Sequence, residues 1–171
     1  MALTKQQLIK AYKVLAQGVV YLDEKLSLGV LVYIEAKAVE FGIARDEYLT
    51  LENLQSSFPY VSMGSYMPIN FFGNQATDVA LPLYHESILK PISLKLCKVI
   101  PQEGFCSIHR WTTVASYSED QIEEAIHALI AVLGNDEHFS QCIQCKNYRP
   151  SGYIDDVQTC ECCKEQLLVV A

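Results

Sequence analysis

Two cysteine pairs near the C-terminus constrain this chain more than any other feature. Each pair has the form C-x2-C, and the four residues are Cys142, Cys145, Cys160 and Cys163. A C-x2-C turn places two sulfurs on the same side of a tight loop, so two such turns can supply the four corners of a tetrahedron. Fourteen residues separate Cys145 from Cys160, which leaves room for a short return of the chain. The spacing predicts a four-thiolate site for one structural zinc ion per chain.

Two neighbouring residues are alternative ligands. Cys162 lies inside the second pair, and His138 lies four residues before Cys142. Seven cysteines could instead form disulfides, but their number is odd and we expect no signal peptide. Reduced thiolates that bind metal are typical of the cytoplasm, where we expect this protein to lie.

The paired cysteines resemble a zinc ribbon or zinc-knuckle module. The resemblance covers the C-terminal segment alone, and it implies a small unit that folds around its metal. With 171 residues, 50% of them hydrophobic, the chain has room for one ordered body besides this unit. We therefore expect an α+β body at residues 1–138 and a zinc-binding module at residues 139–171. The longest apolar run, Val30 to Ile34, is too short to cross a membrane.

The N-terminal part of the body has the signature of helices, which we expect within residues 5–56. Thr4 and Gln7 have the spacing of a capping box at the start of the first helix. A second helix is predicted from about Ser27 to Phe41, and a third from about Asp46 to Gln55. Glycines that follow the first and second helices suit their ends.

The pattern changes at residue 60. Residues 60–117 are rich in tyrosine and β-branched residues, which favours strands. We predict strands at Tyr66–Phe72 and Val79–Tyr84, then a β-hairpin whose turn is 101–104. Ser118 and Gln121 repeat the capping-box spacing, and an apolar stripe at helical spacing after them predicts an amphipathic helix at about 119–133. The expected fold class is α+β: an N-terminal helical segment, a central, mostly antiparallel sheet, a packed amphipathic helix and the C-terminal zinc module.

Aromatic and methionine side chains concentrate where charge is rare, a composition typical of protein interfaces. We expect the partner-binding residues to lie in this region and in the loop after the first cysteine pair: Tyr60, Tyr66, Met67, Tyr84, Tyr148 and Arg149. The leading hypothesis is a non-enzymatic regulatory, adaptor or inhibitor protein that acts through protein contacts.

Two other functions stay open. The basic and aromatic loop at 146–149 suits a nucleic-acid-binding or transcription-associated zinc ribbon, but a formal net charge of −7 disfavours a polyanionic partner. A hydrolase would need a cysteine and a histidine in contact, either Cys106 with His109, or His85 with Cys97 or Cys106. No sequence feature brings these side chains together, so we predict no catalytic residue.

Overall fold

The body of the protein is a four-stranded sheet with three α-helices packed against it. The computed structural model describes residues 2–44, 49–56, 58–65, 91–103 and 105–170. The α-helices are α1 (Lys5–Ala16), α2 (Glu24–Glu40), α3 (Ile122–Leu133) and α4 (Glu161–Val170). The strands are β1 (Val20–Leu22), β2 (Val61–Gly64), β3 (Ile92–Gln102), β4 (Phe105–Tyr117), β5 (Phe139–Gln141) and β6 (Tyr148–Pro150). Short 3-10 helices occupy Leu51–Leu54, Glu119–Gln121 and Ser151–Tyr153.

The main sheet has the strand order β1-β2-β3-β4. β1 and β2 run parallel, whereas β2 with β3 and β3 with β4 are antiparallel. This confirms the α+β class with a mostly antiparallel sheet. The chain between β1 and β2 includes α2, as expected because a parallel pair needs a long crossover.

Helix ends follow the capping pattern in the sequence. The Gln7 N–H donates to Thr4 Oγ1 over 3.2 Å, and the Thr4 N–H donates to Gln7 Oε1 over 3.0 Å. Gly18 ends α1 with φ 66°, a conformation that glycine adopts at little cost. At the start of α3, Gln121 Oε1 accepts from the Ser118 N–H over 3.1 Å. Both predicted capping pairs are therefore in contact.

The N-terminal segment is less helical than the sequence predicts. Residues 20–22 form β1, which pairs with β2, and α2 begins at Glu24 rather than at Ser27. A strand of three residues is too short to show an alternating pattern, so only its pairing reveals it. Of the third predicted helix, residues 46–48 lie outside the described residues, and 51–54 form a single 3-10 turn.

The predicted hairpin is present as β3 and β4, which pair from Ile92 with Tyr117 to Gln102 with Phe105. The two strands predicted earlier in the chain, Tyr66–Phe72 and Val79–Tyr84, lie outside the described residues. The predicted amphipathic helix is α3, whose apolar stripe is buried against the sheet and α1.

One core joins the helices to the cysteine-containing segment. Alternate residues of the sheet, such as Val20, Met63 and Leu94, face α1, α2 and α3 and are fully buried. Phe139, at the start of β5, is 0% exposed and belongs to the same core. The Lys10 ammonium on α1 donates to the Phe139 carbonyl oxygen over 2.6 Å. The segment that contains the cysteines therefore packs against the body.

The same segment also contacts the backbone of β3, at Gly152. A β-carbon added to Gly152 would lie 1.8 Å from the carbonyl oxygen of Val99. The preceding residue, Ser151, is held in place by two hydrogen bonds: its N–H donates to the His138 carbonyl oxygen over 3.0 Å, and its Oγ donates to the Glu137 carbonyl oxygen over 2.9 Å. This close approach leaves no room for a side chain at residue 152.

The packing predicts that Gly152→Ala lowers the free energy of unfolding. The added methyl group must displace the backbone of β3 or of residues 151–153, at a cost of about 1–3 kcal/mol for overpacking. Gly29→Ala is the matched control, since its β-carbon would meet only the flexible end of Ile126 at 3.2 Å and alanine favours a helix. Denaturant unfolding of both variants measures the difference. Equal stability of Gly152→Ala and the wild type would contradict the described contact.

Candidate metal centre

Four cysteine sulfurs converge in the C-terminal segment. The Sγ atoms of Cys142, Cys145, Cys160 and Cys163 all lie within 4.8 Å of one another. Cys142 Sγ lies 3.9 Å from Cys163 Sγ, and Cys145 Sγ lies 3.9 Å from Cys160 Sγ. Corners of a tetrahedron with metal–sulfur bonds of about 2.3 Å are roughly 3.8 Å apart. The four cysteines therefore have the spacing that a tetrahedral metal ion requires, and each of them is a free thiol.

The first cysteine pair sits at the tip of a hairpin. Strands β5 and β6 pair from Phe139 with Pro150 to Gln141 with Tyr148. Beyond the last pair, the Cys142 N–H donates to the Asn147 carbonyl oxygen and the Lys146 N–H donates to the Cys142 carbonyl oxygen, both over 2.9 Å. These bonds fold residues 142–147 into a tight turn, which directs both sulfurs to one side.

The second pair sits at the start of a helix. Cys160 bridges to Ile154 just before α4, and the Cys163 N–H donates to the Cys160 carbonyl oxygen over 3.0 Å. Asp155 shapes the preceding loop, because its Oδ1 accepts from the Thr159 N–H over 2.7 Å. The site thus combines one knuckle hairpin with one helix start, whereas a ribbon would place both pairs on hairpins. The positive end of the α4 dipole favours thiolates at this position.

Backbone donors stabilise negative charge on Cys142, which is 0% exposed. Burial raises the pKa of its thiol, but the backbone N–H groups of Cys145, Cys160 and Gln144 together lower that pKa to about 6. The Cys160 N–H lies 3.4 Å from Cys142 Sγ. The protein therefore prepares a thiolate at Cys142 at neutral pH.

The thiol of Cys163 holds its proton much more firmly than that of Cys142. Its hydrogen bond with Cys160 raises the pKa of Cys163 to about 12. Like charges this close to one another oppose further ionisation. A bound cation reverses that balance, because it stabilises every thiolate in contact with it.

The two alternative ligands are not part of the cluster. Cys162 is exposed, and its sulfur is not among the four that converge. His138 lines a cleft beside β3 with Lys98 and Gly152, and burial lowers the pKa of its imidazole. The four cysteines of the two C-x2-C pairs supply the site by themselves.

The residues predicted to bind a partner have varied environments. The Tyr60 ring is partly buried, with its centroid 5.7 Å from that of Tyr153 and 6.2 Å from that of His109. Tyr148 is partly buried beneath the Lys10 ammonium, which lies 5.6 Å from its ring centroid. Within the part of the chain that the structure describes, Arg149 Nε is buried and has no hydrogen-bond partner. Tyr66, Met67 and Tyr84 lie outside the described residues, so the role of this set stays a prediction.

The candidate Cys/His pairs offer no activated nucleophile among the described side chains. Cys97 is 3% exposed, and burial raises the pKa of its thiol to about 12. The His109 imidazole forms a hydrogen bond with the Tyr153 hydroxyl group. His85 and the side chain of Cys106 lie outside the described part of the structure. A nucleophilic cysteine needs a lowered pKa and access to substrate, and Cys97 has neither.

Sequence reasoning missed an exposed apolar stripe on α2. Leu28, Val32 and Val39 are 64%, 60% and 79% exposed and lie near one another on the outer face of this helix. The signal was the apolar run from Val30 to Ile34. Such a run in a helix faces every direction, so some of its residues must face solvent.

No match was found in comparisons with protein-family models, curated proteins and solved structures. Among the described helices, none has both the length and the apolar character that a membrane span requires. The geometry of the four cysteines is therefore the evidence for what this site can bind.

The four-sulfur cluster predicts one tightly bound metal ion per chain. Cys163→Ser should abolish stoichiometric binding, because it removes one corner of the tetrahedron. Cys162→Ser is the matched control and should keep the metal, since that thiol lies outside the cluster. Elemental analysis of protein purified without chelator measures both. Loss of metal in the Cys162 variant, with retention in the Cys163 variant, would refute the assignment.

Proposed function

We propose that this protein is a non-enzymatic regulatory or adaptor protein, stabilised by zinc, that acts through contacts with another protein. The observation that carries the proposal is the four-cysteine cluster, which lies in a segment packed against both the main core and the backbone of β3. Such a site suits a structural role, because four thiolates complete the coordination sphere and leave no position for a substrate or a catalytic water.

Zinc is the metal that best fits this ligand set. Tetrahedral sites with four thiolates are typical of zinc or of iron–sulfur chemistry. Zinc, unlike iron, has no redox chemistry and suits a structural role. Structural sites of this kind contribute directly to the folding of small modules. Metal-binding thiolates are typical of reducing compartments, and on this ground we propose that the protein acts in the cytoplasm.

The outer face of α2 supports a protein-binding role. The residues of its apolar stripe are Leu28, Val32, Ala36 and Val39, all of them exposed. Their spacing of four, four and three residues keeps them on one face of the helix. Contiguous exposed apolar patches on a folded protein are typical of interaction sites. We assign this stripe as the main partner-binding surface of the described structure, and the acting surface of a regulatory or inhibitory complex.

The charge of the cysteine segment gives little support to nucleic-acid binding. The Lys164 ammonium forms an ion pair with Asp155 Oδ2 over 2.7 Å. The buried Nε of Arg149 takes part of that side chain away from the surface. Phosphate recognition needs several accessible cations on one face. The hydrolase hypothesis has even less support, because the Cys97 thiol is buried and protonated.

A photo-crosslinking residue tests the α2 surface directly. Benzoylphenylalanine in place of Val32 should capture one discrete partner in the native cell, whereas the same group in place of the exposed Lys5 should not. The double variant Val32→Glu/Val39→Glu should bind the captured partner at least about tenfold more weakly, because interface anchors commonly contribute 1–3 kcal/mol each. Its melting temperature should stay near that of the wild type, since both side chains already face solvent.

Three outcomes of these experiments would contradict the assignment of α2 as the interface. If the Lys5 position captures the same protein as the Val32 position, or if the double variant binds that protein with unchanged affinity, α2 is not the interface. A large fall in melting temperature would assign the stripe to internal packing instead.

A further inference from the structure

A cavity of about 420 Å³ lies where α1, the end of α2 and the β5–β6 hairpin meet. This volume is within the range of small-molecule sites, which is about 300–1,000 Å³. The cavity is distinct from the four-cysteine cluster, although the hairpin that carries Cys142 and Cys145 forms one of its walls. We call it the hairpin cavity.

Apolar side chains of two helices form most of the wall of the hairpin cavity. Leu8 and Tyr12 on α1 face Ile34 and Ala38 on α2, and Ile43 closes the wall beyond the helix end. Leu8 and Ile34 are also part of the main core, so their positions are fixed by packing. A rigid apolar wall favours a ligand with a hydrocarbon or aromatic body.

Lysines mark the mouth of this cavity. Lys13 on α1 and Lys146 on the hairpin both line it and are both exposed, which places them at its entrance to solvent. Its described lining contains no acidic residue. The sign of this entrance is opposite to the formal net charge of the chain, which is −7 and repels anions. The mouth therefore has the charge to select an anionic group.

The backbone at Lys146 gives independent support. Lys146 has φ 62°, in the left-handed region that disfavours a side chain. Glycine would be less costly here by roughly 1–2 kcal/mol. Gln141 on the facing strand donates from Nε2 to the Lys146 carbonyl oxygen over 2.8 Å and holds this backbone in place. The position thus carries an ammonium group at the entrance of the cavity where the local backbone favours glycine.

We propose that the hairpin cavity binds a small amphipathic carboxylate. The apolar body of the ligand packs between α1 and α2, and its carboxylate lies between the ammonium groups of Lys13 and Lys146. This site is separate from the protein-binding surface on α2, so each can fail without the other.

Decanoate is the probe, with decanol as its neutral counterpart, and titration calorimetry on the full metal-loaded chain is the measurement. Decanoate should bind at one saturable site and more tightly than decanol. Lys146→Gly should weaken decanoate binding about two- to fivefold, as expected for a partly exposed ion pair, yet leave decanol binding unchanged. Because glycine suits this backbone, the variant should be at least as stable as the wild type. Lys25→Ala, on the distant start of α2, is the charge-matched control and should change neither affinity.

A second variant places a larger side chain in the hairpin cavity. Ala16→Phe, at the cavity wall, should reduce the affinity for both probes at least about tenfold, provided that its far-ultraviolet circular dichroism and metal content match those of the wild type. No saturable decanoate binding to the wild type, or equal affinity of decanoate and decanol, would overturn the proposal. So would tighter binding of a peptide that ends in leucine, because that result assigns the cavity to a protein partner.

Discussion

The mutual repulsion of four thiolates is the constraint on which the cysteine-containing C-terminal segment depends. Four sulfurs lie within 4.8 Å of one another, and three of the four cysteines are buried. Negative charges at this separation and in this environment cannot coexist without a cation. The opposite pKa shifts of Cys142 and Cys163 express this conflict, because one thiol loses its proton readily while the other keeps it. A divalent ion would resolve the conflict and would join the hairpin to the start of α4.

That junction matters beyond the cysteine segment itself. The chain between the two cysteine pairs includes Gly152, which fits directly against the backbone of Val99 on β3. At the start of β5, Phe139 enters the main core, and the Lys10 ammonium donates to its carbonyl oxygen. A bound metal ion would therefore order a hairpin that contacts the body at both the main core and the backbone of β3. This arrangement explains how a short segment with little core of its own becomes a wall of the hairpin cavity.

Local chemistry made part of this fold predictable. The cysteine spacing indicated which four cysteines converge, and the pairs Thr4 with Gln7 and Ser118 with Gln121 indicated two helix starts, because each signal depends on residues close in sequence. β1 was not predictable, since a three-residue strand acquires its identity only from its pairing with β2. The start of α4 at Glu161 likewise depends on how the chain returns to the first pair. Neither the fit of Gly152 against β3 nor the cavity between α1 and the hairpin leaves a periodic pattern, because both arise between segments distant in sequence.

Zinc held by four sulfurs is the central claim, and X-ray absorption spectroscopy at the zinc edge tests it most directly. The account predicts a first shell of four sulfur atoms at about 2.3 Å and no nitrogen or oxygen ligand. A shell of three sulfurs with one lighter ligand at about 2.0–2.1 Å would contradict it, because His138 or water would then complete an open site.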